Sequence, residues 1–560
     1  NRPPQQGRAA IGAKLILIRM VAMDRTINDR ELKLISLGGI LFFLLMVFRN
    51  AWVSDDAMIT FRTIENFRAG LGLGYNPYIR VQGFTHPLWM FVLSFLYFIQ
   101  VNLFGLSAPN GLVFLSIGIS MVFSGLTIWL LMTRLVNPNL LSLGFFATTL
   151  VLSRAYVDFS TSGLENPLTH LLIAVFIWQF FQDKIRIGIL SFLASLISLN
   201  RLDILIMVLP ALGYAFWRER GFWGYNFRSS FLAFLPLIFW EAFSLFYYGF
   251  PFPNTAYAKL NTGIADFRLL LQGFDYFINS IHWDPLTLFV IGLSGLVIWI
   301  EREPKSMAMF TGVLLYLFYI LKIGGDFMSG RFFTAVLLVA VSLLARWKPT
   351  SVQVLKAGWV AILLLGTFSF KSTLLDPLFP EPIGNEINKV PLIDSHGIAD
   401  ERLYYFMKDQ GFVQQGLRVQ NGYQEVEVIG SPLAGEEWSF VQIKDVHIVG
   451  ALGKKGYQVG PEIYIIDYFA LSDPLLARLP IEDAIDWRIG HFKRAIPIGY
   501  RETLKSGTNH IADPDLAEYY EKLHYVVAGR LWDWERLREI WNLNTGQYDY
   551  LLINYLSQRK

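Results

Sequence analysis

Two neighbouring carboxylates, Asp55 and Asp56, stand just past Ser54 at the end of an apolar stretch over 34–53. Charges at a membrane exit cost desolvation energy unless something uses them. Adjacent like charges also push one of the two pKa values up, which suits a proton acceptor. The plainer alternative is a solvated cap on the following helix, expected over Met58 to Arg68, since Asp favours a helix N-terminus. The pair does not itself say which carboxylate takes a proton.

The loop that follows reads DDAMITFRTIENFRAGLGLGYNPYIRVQGFTHPLWM. Gly70, Gly72 and Gly74 make tight turns, Arg80 and His86 can meet an anion, and Pro87 suits the first turn of the next helix. This is elaborate for a connector. Further polar residues sit at the ends of apolar stretches: Glu165, Arg201 with Asp203, Lys259 after Pro253-Asn254-Thr255, and Asp326 with Arg331. Each has a structural alternative. Glu165 is also what a helix N-terminus takes, Arg201 and Asp203 make a local ion pair in a tight hairpin, and a loop lysine is usually solvated. Asp326 and Arg331 can simply order a turn. His86 and His170 are too isolated for a metal site. Asp55, Asp56 and Glu165 could hold a divalent cation in principle, but no resident metal or other cofactor is expected. No glycine-rich nucleotide loop follows a strand, which argues against a soluble nucleotide-sugar donor.

Those residues must be positioned by membrane helices. Of the 560 residues 53% are hydrophobic, 16% aromatic and 17% charged. A soluble domain carries about 25% charged residues. With a mean hydropathy of +0.40, a soluble globule would expose large apolar patches. A soluble enzyme, a disordered chain and a nucleic-acid binder are thereby excluded. A net charge of +3 says little, and the absence of Cys removes disulfides, thiol nucleophiles and Cys-ligated metals. Residues 1–22 are basic without an acid, and Met20 or Met23 is the expected start of the chain.

A bilayer core of about 30 Å takes roughly 20 apolar helical residues. Candidate spans lie near 34–53, 86–104, 111–132, 138–154, 166–181, 185–200, 203–217, 230–248, 285–300, 307–323, 332–347 and 354–370. After Lys371 most of the acids appear, with five Trp and no long apolar run. Trp438 to Val449 alternates like a strand, and Asp513 to Leu543 has helical periodicity behind Pro514. The expected organisation is a cytoplasmic segment 1–33, a membrane domain 34–370 of about 10–12 helices, and a soluble extracytoplasmic α/β domain 371–560 that is a candidate carbohydrate binder. Basic residues set the orientation. Arg25, Arg30 and Lys33 precede the first span. Lys184 and Arg186, then Arg218, Arg220 and Arg228, then Arg302 and Lys305, then Arg346 and Lys348 fall on alternate loops. That pattern needs an even number of crossings between 86 and 154, where three candidates stand. One of them should be re-entrant, merged or interfacial. Tyr247 and Tyr248 read as interface-belt aromatics. Trp487, Trp532, Trp534 and Trp541 read as domain core or as sugar-stacking platforms.

The chain resembles the polytopic GT-C glycosyltransferases, and within them the terminal arabinofuranosyltransferases of the mycobacterial cell wall. The likeness is carried by the first loop, by SGLENPL at 162–168, NRLD at 200–203, YGFPFPNTAYAK at 248–259 and GGDFMSGRF at 324–332. It continues through GIADER at 397–402, DYFALSDPLLARLP at 467–480 and WRIGHF at 487–492. The resemblance implies a membrane all-α GT-C fold and an inverting transfer of a sugar, arabinofuranose in these relatives. The implied donor is a polyprenyl-phosphate sugar and the acceptor an extracytoplasmic polysaccharide or glycoprotein. It also implies a multi-pass protein of the plasma (inner) membrane, with Asp55 and Asp56 at the position of the proposed base and the analogy leaning to Asp55. A departing lipid phosphate needs cations. Arg331, Lys259, Arg201 and His86 are the candidates for it, with Asp326 orienting Arg331 or touching sugar hydroxyls. Glu165, Asn254, Arg80 and Trp89 are the further candidates for sugar or acceptor, while Asp467, Asp473 and Arg478 should pack the soluble part on the membrane part. A transporter or flippase of a lipid-linked sugar is the rival reading. Transporters favour repeats and midplane charges, and neither is visible here. A mere membrane anchor for a carbohydrate-binding domain would leave the first loop unexplained.

Overall fold

Asn28 opens the first membrane helix with a reciprocal capping box to Glu31, and Ser54 opens the short polar helix that follows it by accepting from the Ala57 N–H. These starts belong to a computed structural model that describes residues 27–104, 111–347, 352–369, 372–375, 392–409, 445–450, 452–461 and 463–558. Met20, Met23, Arg25, Lys348, Lys371 and the Trp438 end of the expected strand lie outside them.

The helices, in order, are α1 (Asp29–Arg49), α2 (Asp55–Arg68), α3 (Pro87–Phe104), α4 (Gly111–Arg134), α5 (Leu140–Leu152), α6 (Arg154–Asp158), α7 (Asn166–Phe180) and α8 (Ile187–Asn200). Then come α9 (Leu205–Arg218), α10 (Trp223–Tyr247), α11 (Asn254–Leu260), α12 (Asp266–Trp283), α13 (Pro285–Glu301), α14 (Pro304–Lys322), α15 (Phe333–Arg346) and α16 (Val352–Phe368). The C-terminal part holds α17 (Glu401–Asp409), β1 (Asp445–Val449), α18 (Leu452–Val459), β2 (Ile463–Asp467), α19 (Tyr500–Ser506), α20 (Pro514–Ala528), α21 (Trp534–Asn544) and α22 (Asp549–Ser557). β1 and β2 pair in parallel across α18, with Asp445 opposite Ile463 and Val449 opposite Asp467. The fold is thus a membrane all-α bundle with a C-terminal part that is mostly helical around one small β element.

Every expected span contains a helix. Fewer are full-length, however. Among the described residues four helices are long and apolar enough to cross alone: α1, α4, α10 with its preceding turn, and α14. The bent pair α12 and α13, turned by 108° at Asp284, makes a fifth at most. Six further apolar helices have only 10–17 residues. Helices of 14 residues rise only about 21 Å, short of the core thickness. The outer connection over 249–284, expected as a loop, contains α11 and the amphipathic α12.

The basic loops gather at one end of the bundle. Lys305 Nζ donates to the Gln182 carbonyl at 2.8 Å, and Arg346 forks onto Glu303 at 2.6 and 2.9 Å and lies over Phe181. Asn137 donates to the carbonyls of Arg346 and Trp347, and the Ile27 N–H bonds the Pro138 carbonyl. The opposite end receives Ser54, whose N–H bonds the Ser162 carbonyl at 2.9 Å.

This arrangement explains the odd candidate between 86 and 154. α1 and α4 run antiparallel, with Gly39 against Met132 and Gly125 against Ile40 and Leu44. That register carries Gly111 roughly two turns past Arg49. His86, just before α3, sits on Glu165 at the same end. An α3 descending its full length of about 27 Å would have to come back roughly 40 Å before Gly111. The stretch from Phe104 to Gly111 reaches only about 25 Å. α3 therefore does not traverse the layer that α1 and α4 traverse.

The C-terminal part is seated on the same end. Arg49 donates to the Leu374 carbonyl at 2.9 Å, and Arg402 Nε lies 3.1 Å from Asp158. The Ala399 N–H bonds the Phe327 carbonyl at 2.7 Å. The elaborate first loop is the frame for this seating. Fully buried Arg62 donates to the carbonyls of Tyr75, Gly456 and Ile463, and Asn76 bonds both backbone groups of Ile465. Tyr247 and Tyr248 belong to the same frame rather than to an interface belt: both are buried and bond the backbone of Leu73.

Candidate active site

A cavity of about 960 Å³ opens at the end that receives Ser54. Its polar wall holds Asp55, Asp56, His86, Glu165, Arg201, Lys259, Asp326 and Arg331, brought from six separate connections and helix ends. Its apolar wall comes from α9 and α10, through Leu205, Leu209, Leu237 and Trp240. Leu202 and Leu209 line it while being 44% and 47% exposed, so the cavity also opens sideways onto the apolar flank. The C-terminal part supplies the roof through Glu401, Tyr405, Leu452 and His491.

The two carboxylates of the pair are used differently. Ser54, not either Asp, is the N-cap of α2. Asp55 accepts from the backbone N–H groups of Gly453 and Lys454, at 2.8 and 2.9 Å, and so closes the N-terminus of α18. A Cβ on Gly453 would collide with the Asp55 carbonyl, so the approach requires glycine. Asp56 is half-buried and faces the cavity. Its withdrawal from water pushes its pKa up to about 6, with Asp55 adding to the rise and Arg331 and Lys259 opposing it.

Glu165 is the hub beneath the cations. It is fully buried, with Oε1 3.2 Å from Arg331 Nη2 and 3.6 Å from Arg201 Nη1, and Oε2 3.3 Å from His86 Nδ1. Burial opposes its charge, yet Arg331, His86 and Arg201 together bring its pKa down to about 2. Arg201 is also held by Asp203 at 2.5 Å and by the Tyr316 hydroxyl, and its guanidinium lies over Phe332. Arg331 Nη1 reaches Asp326 Oδ2 at 3.5 Å. Lys259 is exposed at the rim.

Four expectations need correction. Burial lowers the His86 pKa to about 4, so it is neutral at neutral pH and brings no charge to an anion. Its Nε2 pairs with the Thr60 hydroxyl at 2.8 Å and its Nδ1 with the Thr85 hydroxyl at 3.4 Å, while Nδ1 lies 3.3 Å from Glu165 Oε2. Arg80 lies outside the cavity lining, fully buried against the Tyr247 ring, and donates to the Gly529 carbonyl. Trp89 is fully buried and donates to the Gly163 carbonyl at 3.0 Å. Asn254 clamps the carbonyls of Ala470 and Asp473 at 2.9 and 3.0 Å. These last three hold loops in place and do not face a ligand. The exposed Trp532, Trp534 and Trp541 are likewise neither core nor cavity lining.

Sequence reasoning missed Glu401. The GIADER stretch drew notice as a motif, without a role for its acid. The chain brings it to the roof because the segment around Ala399 pairs with the turn at Met328. Burial, with Asp56 adding to it, pushes the Glu401 pKa up to about 8. The folded protein therefore holds a proton that the unfolded chain, at about 4.5, has released. Stability contributed there falls as pH rises from about 4.5 to 8. Glu401→Gln removes the titration. Its melting temperature should match that of the parent protein near pH 4.5 and exceed it increasingly up to pH 9; a constant difference across that range would contradict the assignment.

Among the described residues no group of three or more His, Asp or Glu is placed to hold a metal ion.

Two curated relatives are similar to the chain. The terminal beta-(1->2)-arabinofuranosyltransferase of Mycobacterium tuberculosis is 25% identical over 534 aligned residues, covering 80% of this chain and 81% of its own. The protein of the same description from Corynebacterium glutamicum is 25% identical over 373 residues, covering 56% of this chain and 50% of its own. No family model and no solved structure matches. With the helical membrane fold, these likenesses support, in general terms, a multi-pass membrane enzyme of the GT-C-like glycosyltransferase type.

Proposed function

We propose that this chain is an inverting glycosyltransferase that moves an arabinofuranosyl unit from a polyprenyl-phosphate donor to a glycan or glycoprotein acceptor. The observation that carries the reading is a half-buried Asp56 carboxylate that shares a cavity with Arg331 and Lys259, the cavity opening sideways onto the apolar flank. The two relatives carry the choice of sugar through their names.

The reaction follows from those groups. The acceptor hydroxyl oxygen attacks C1 of the donor sugar from the face opposite the phosphate. The C1–O bond breaks, and polyprenyl phosphate leaves with the electron pair. Asp56 takes the hydroxyl proton. Arg331, with Lys259 at the rim, meets the charge that grows on the phosphate, and Asp326 and Glu165 hold Arg331 in place. Asp56 is preferred over Asp55 because both Asp55 oxygens already accept backbone N–H groups. The prenyl chain lies against Leu205, Leu209, Leu237 and Trp240 and leaves through the side opening into the bilayer. In this reading the basic end of the bundle is cytoplasmic. The cavity and the part from 371 onward face outward from the plasma (inner) membrane, and residues 34–370 are the catalytic domain. A flippase would need a path to the basic end. The cavity is lined from the opposite end, while the basic loops are tied to one another.

Purified protein incubated with a set of polyprenyl-phosphate sugars and nucleotide sugars tests this. The polyprenyl-phosphate arabinofuranose should be consumed in the presence of an arabinan oligosaccharide, with inversion at C1. Consumption of a nucleotide sugar instead would overturn the donor class.

A further inference from the structure

Three tryptophans of the C-terminal part stand almost bare: Trp532, Trp534 and Trp541 are 84%, 86% and 68% exposed. Their height above the membrane helices is fixed by a neighbour. Fully buried Arg536 donates from Nη1 to the Phe246 carbonyl at 2.8 Å and from Nη2 to the Tyr247 carbonyl at 2.9 Å. It thereby caps the C-terminal end of α10. The Trp532 ring lies 4.7 Å from the Phe246 ring, and Asn544 donates to the Gly249 carbonyl. α21 is thus bolted to the end of α10 at both of its own ends.

α10 itself turns an apolar side outward, with Phe231, Leu232, Phe239 and Leu245 exposed. At its far end the exposed aromatics return: Trp217, Trp223, Tyr225 and Trp299, with Arg220 over Trp217 and Arg302 over Trp299. From Trp223 to Phe246 an α-helix rises about 35 Å. That is a hydrocarbon core of about 30 Å plus the inner part of the headgroup layers. Tryptophan prefers those two boundaries. On α21, Trp534, Arg538 and Trp541 recur at i, i+4 and i+7 and so share a face.

We infer that α21 lies on the bilayer surface at the cavity end, with Trp532, Trp534 and Trp541 seated where headgroups meet acyl chains. The second aromatic belt, which the membrane helices supply at the basic end, is supplied at the cavity end by the C-terminal part. The partner is the lipid surface and not a glycan. α10 also forms one lip of the side opening through Leu237 and Trp240. The contact therefore sets the height of that opening against the headgroups. The inference rests on exposure and on the α10 cap, and it stands whether or not the donor proposed above is right.

The chain has no Cys, so single nitroxide labels can be placed cleanly on the full-length protein in nanodiscs of phosphatidylcholine and phosphatidylglycerol. Labels at W534C and W541C are compared by power saturation with one at L296C, on the exposed flank of α13, and with free nitroxide in buffer. Both test labels should be more accessible to oxygen than to a water-soluble nickel chelate, at a depth near the phosphates. Accessibility equal to that of free nitroxide would overturn the inference. So would protection from the chelate that appears only when an arabinan oligosaccharide is added. Should labelling disturb folding, brominated lipids provide a second reading. They should quench the parent protein more than a W532F/W534F/W541F variant of unchanged melting temperature, and equal quenching overturns the inference.

Discussion

Asp56→Asn should leave a folded protein that transfers sugar about 10³-fold more slowly, since a positioned base contributes roughly 10²–10⁴-fold. Asparagine keeps the shape and loses the basicity. The raised Asp56 pKa predicts the pH dependence of the parent enzyme. Below about pH 6 the carboxyl is protonated and cannot accept; the rate should therefore climb through pH 6 to a plateau. That limb should vanish in Asp56→Asn. Asp55→Asn differs in kind. One amide oxygen still accepts from Gly453 or Lys454, while the NH2 group opposes the other N–H. The expectation is a lower melting temperature with turnover kept within about tenfold, far from the base effect. Full activity in Asp56→Asn, or a larger rate loss in Asp55→Asn at equal stability, would sink the assignment of roles within the pair.

Arg331→Ala should weaken donor binding about 10²-fold or more, as expected for loss of charge-assisted bonds to a phosphate. It should leave acceptor KM nearly unchanged. The same variant removes an ion pair from buried Glu165, so a stability loss is also expected. A double variant separates the two effects. Glu165→Gln with Arg331→Ala leaves no buried charge to compensate at Glu165, and the melting temperature should recover in part while the affinity for a short polyprenyl phosphate does not. Arg331→Lys keeps the charge and loses the planar fork, and should fall between. Unchanged affinity for the phosphate in Arg331→Ala would rule out its role.

The helices of the membrane part were legible because a run of apolar residues has no other way to satisfy its backbone in lipid. The expectation that one of the three candidates between 86 and 154 does not cross comes from basic residues alone; the placing of α3 depends on the register of α1 against α4, which the sequence does not show. The polar cluster was legible as residue types at helix ends. Roles within it were less so, because they depend on what lies opposite. Arg80, Asn254 and Trp89 look like ligand-binding residues in the sequence, yet each is buried and donates to a backbone carbonyl distant in sequence. His86 reads as a cation until burial makes it neutral. Glu401 was hidden for the opposite reason: an acid in an acid-rich segment stands out only once the pairing of Met328 and Ala399 brings it to the roof above Asp56.

The most direct measurement is the structure of the protein in a lipid nanodisc with a non-hydrolysable polyprenyl-phosphate sugar bound. The account predicts phosphate oxygens within hydrogen-bond distance of Arg331, the sugar hydroxyl face toward Asp56, and the prenyl chain leaving between α9 and α10. A phosphate bound at the basic end of the bundle, or a prenyl chain that avoids the Leu209 and Trp240 wall, would contradict it.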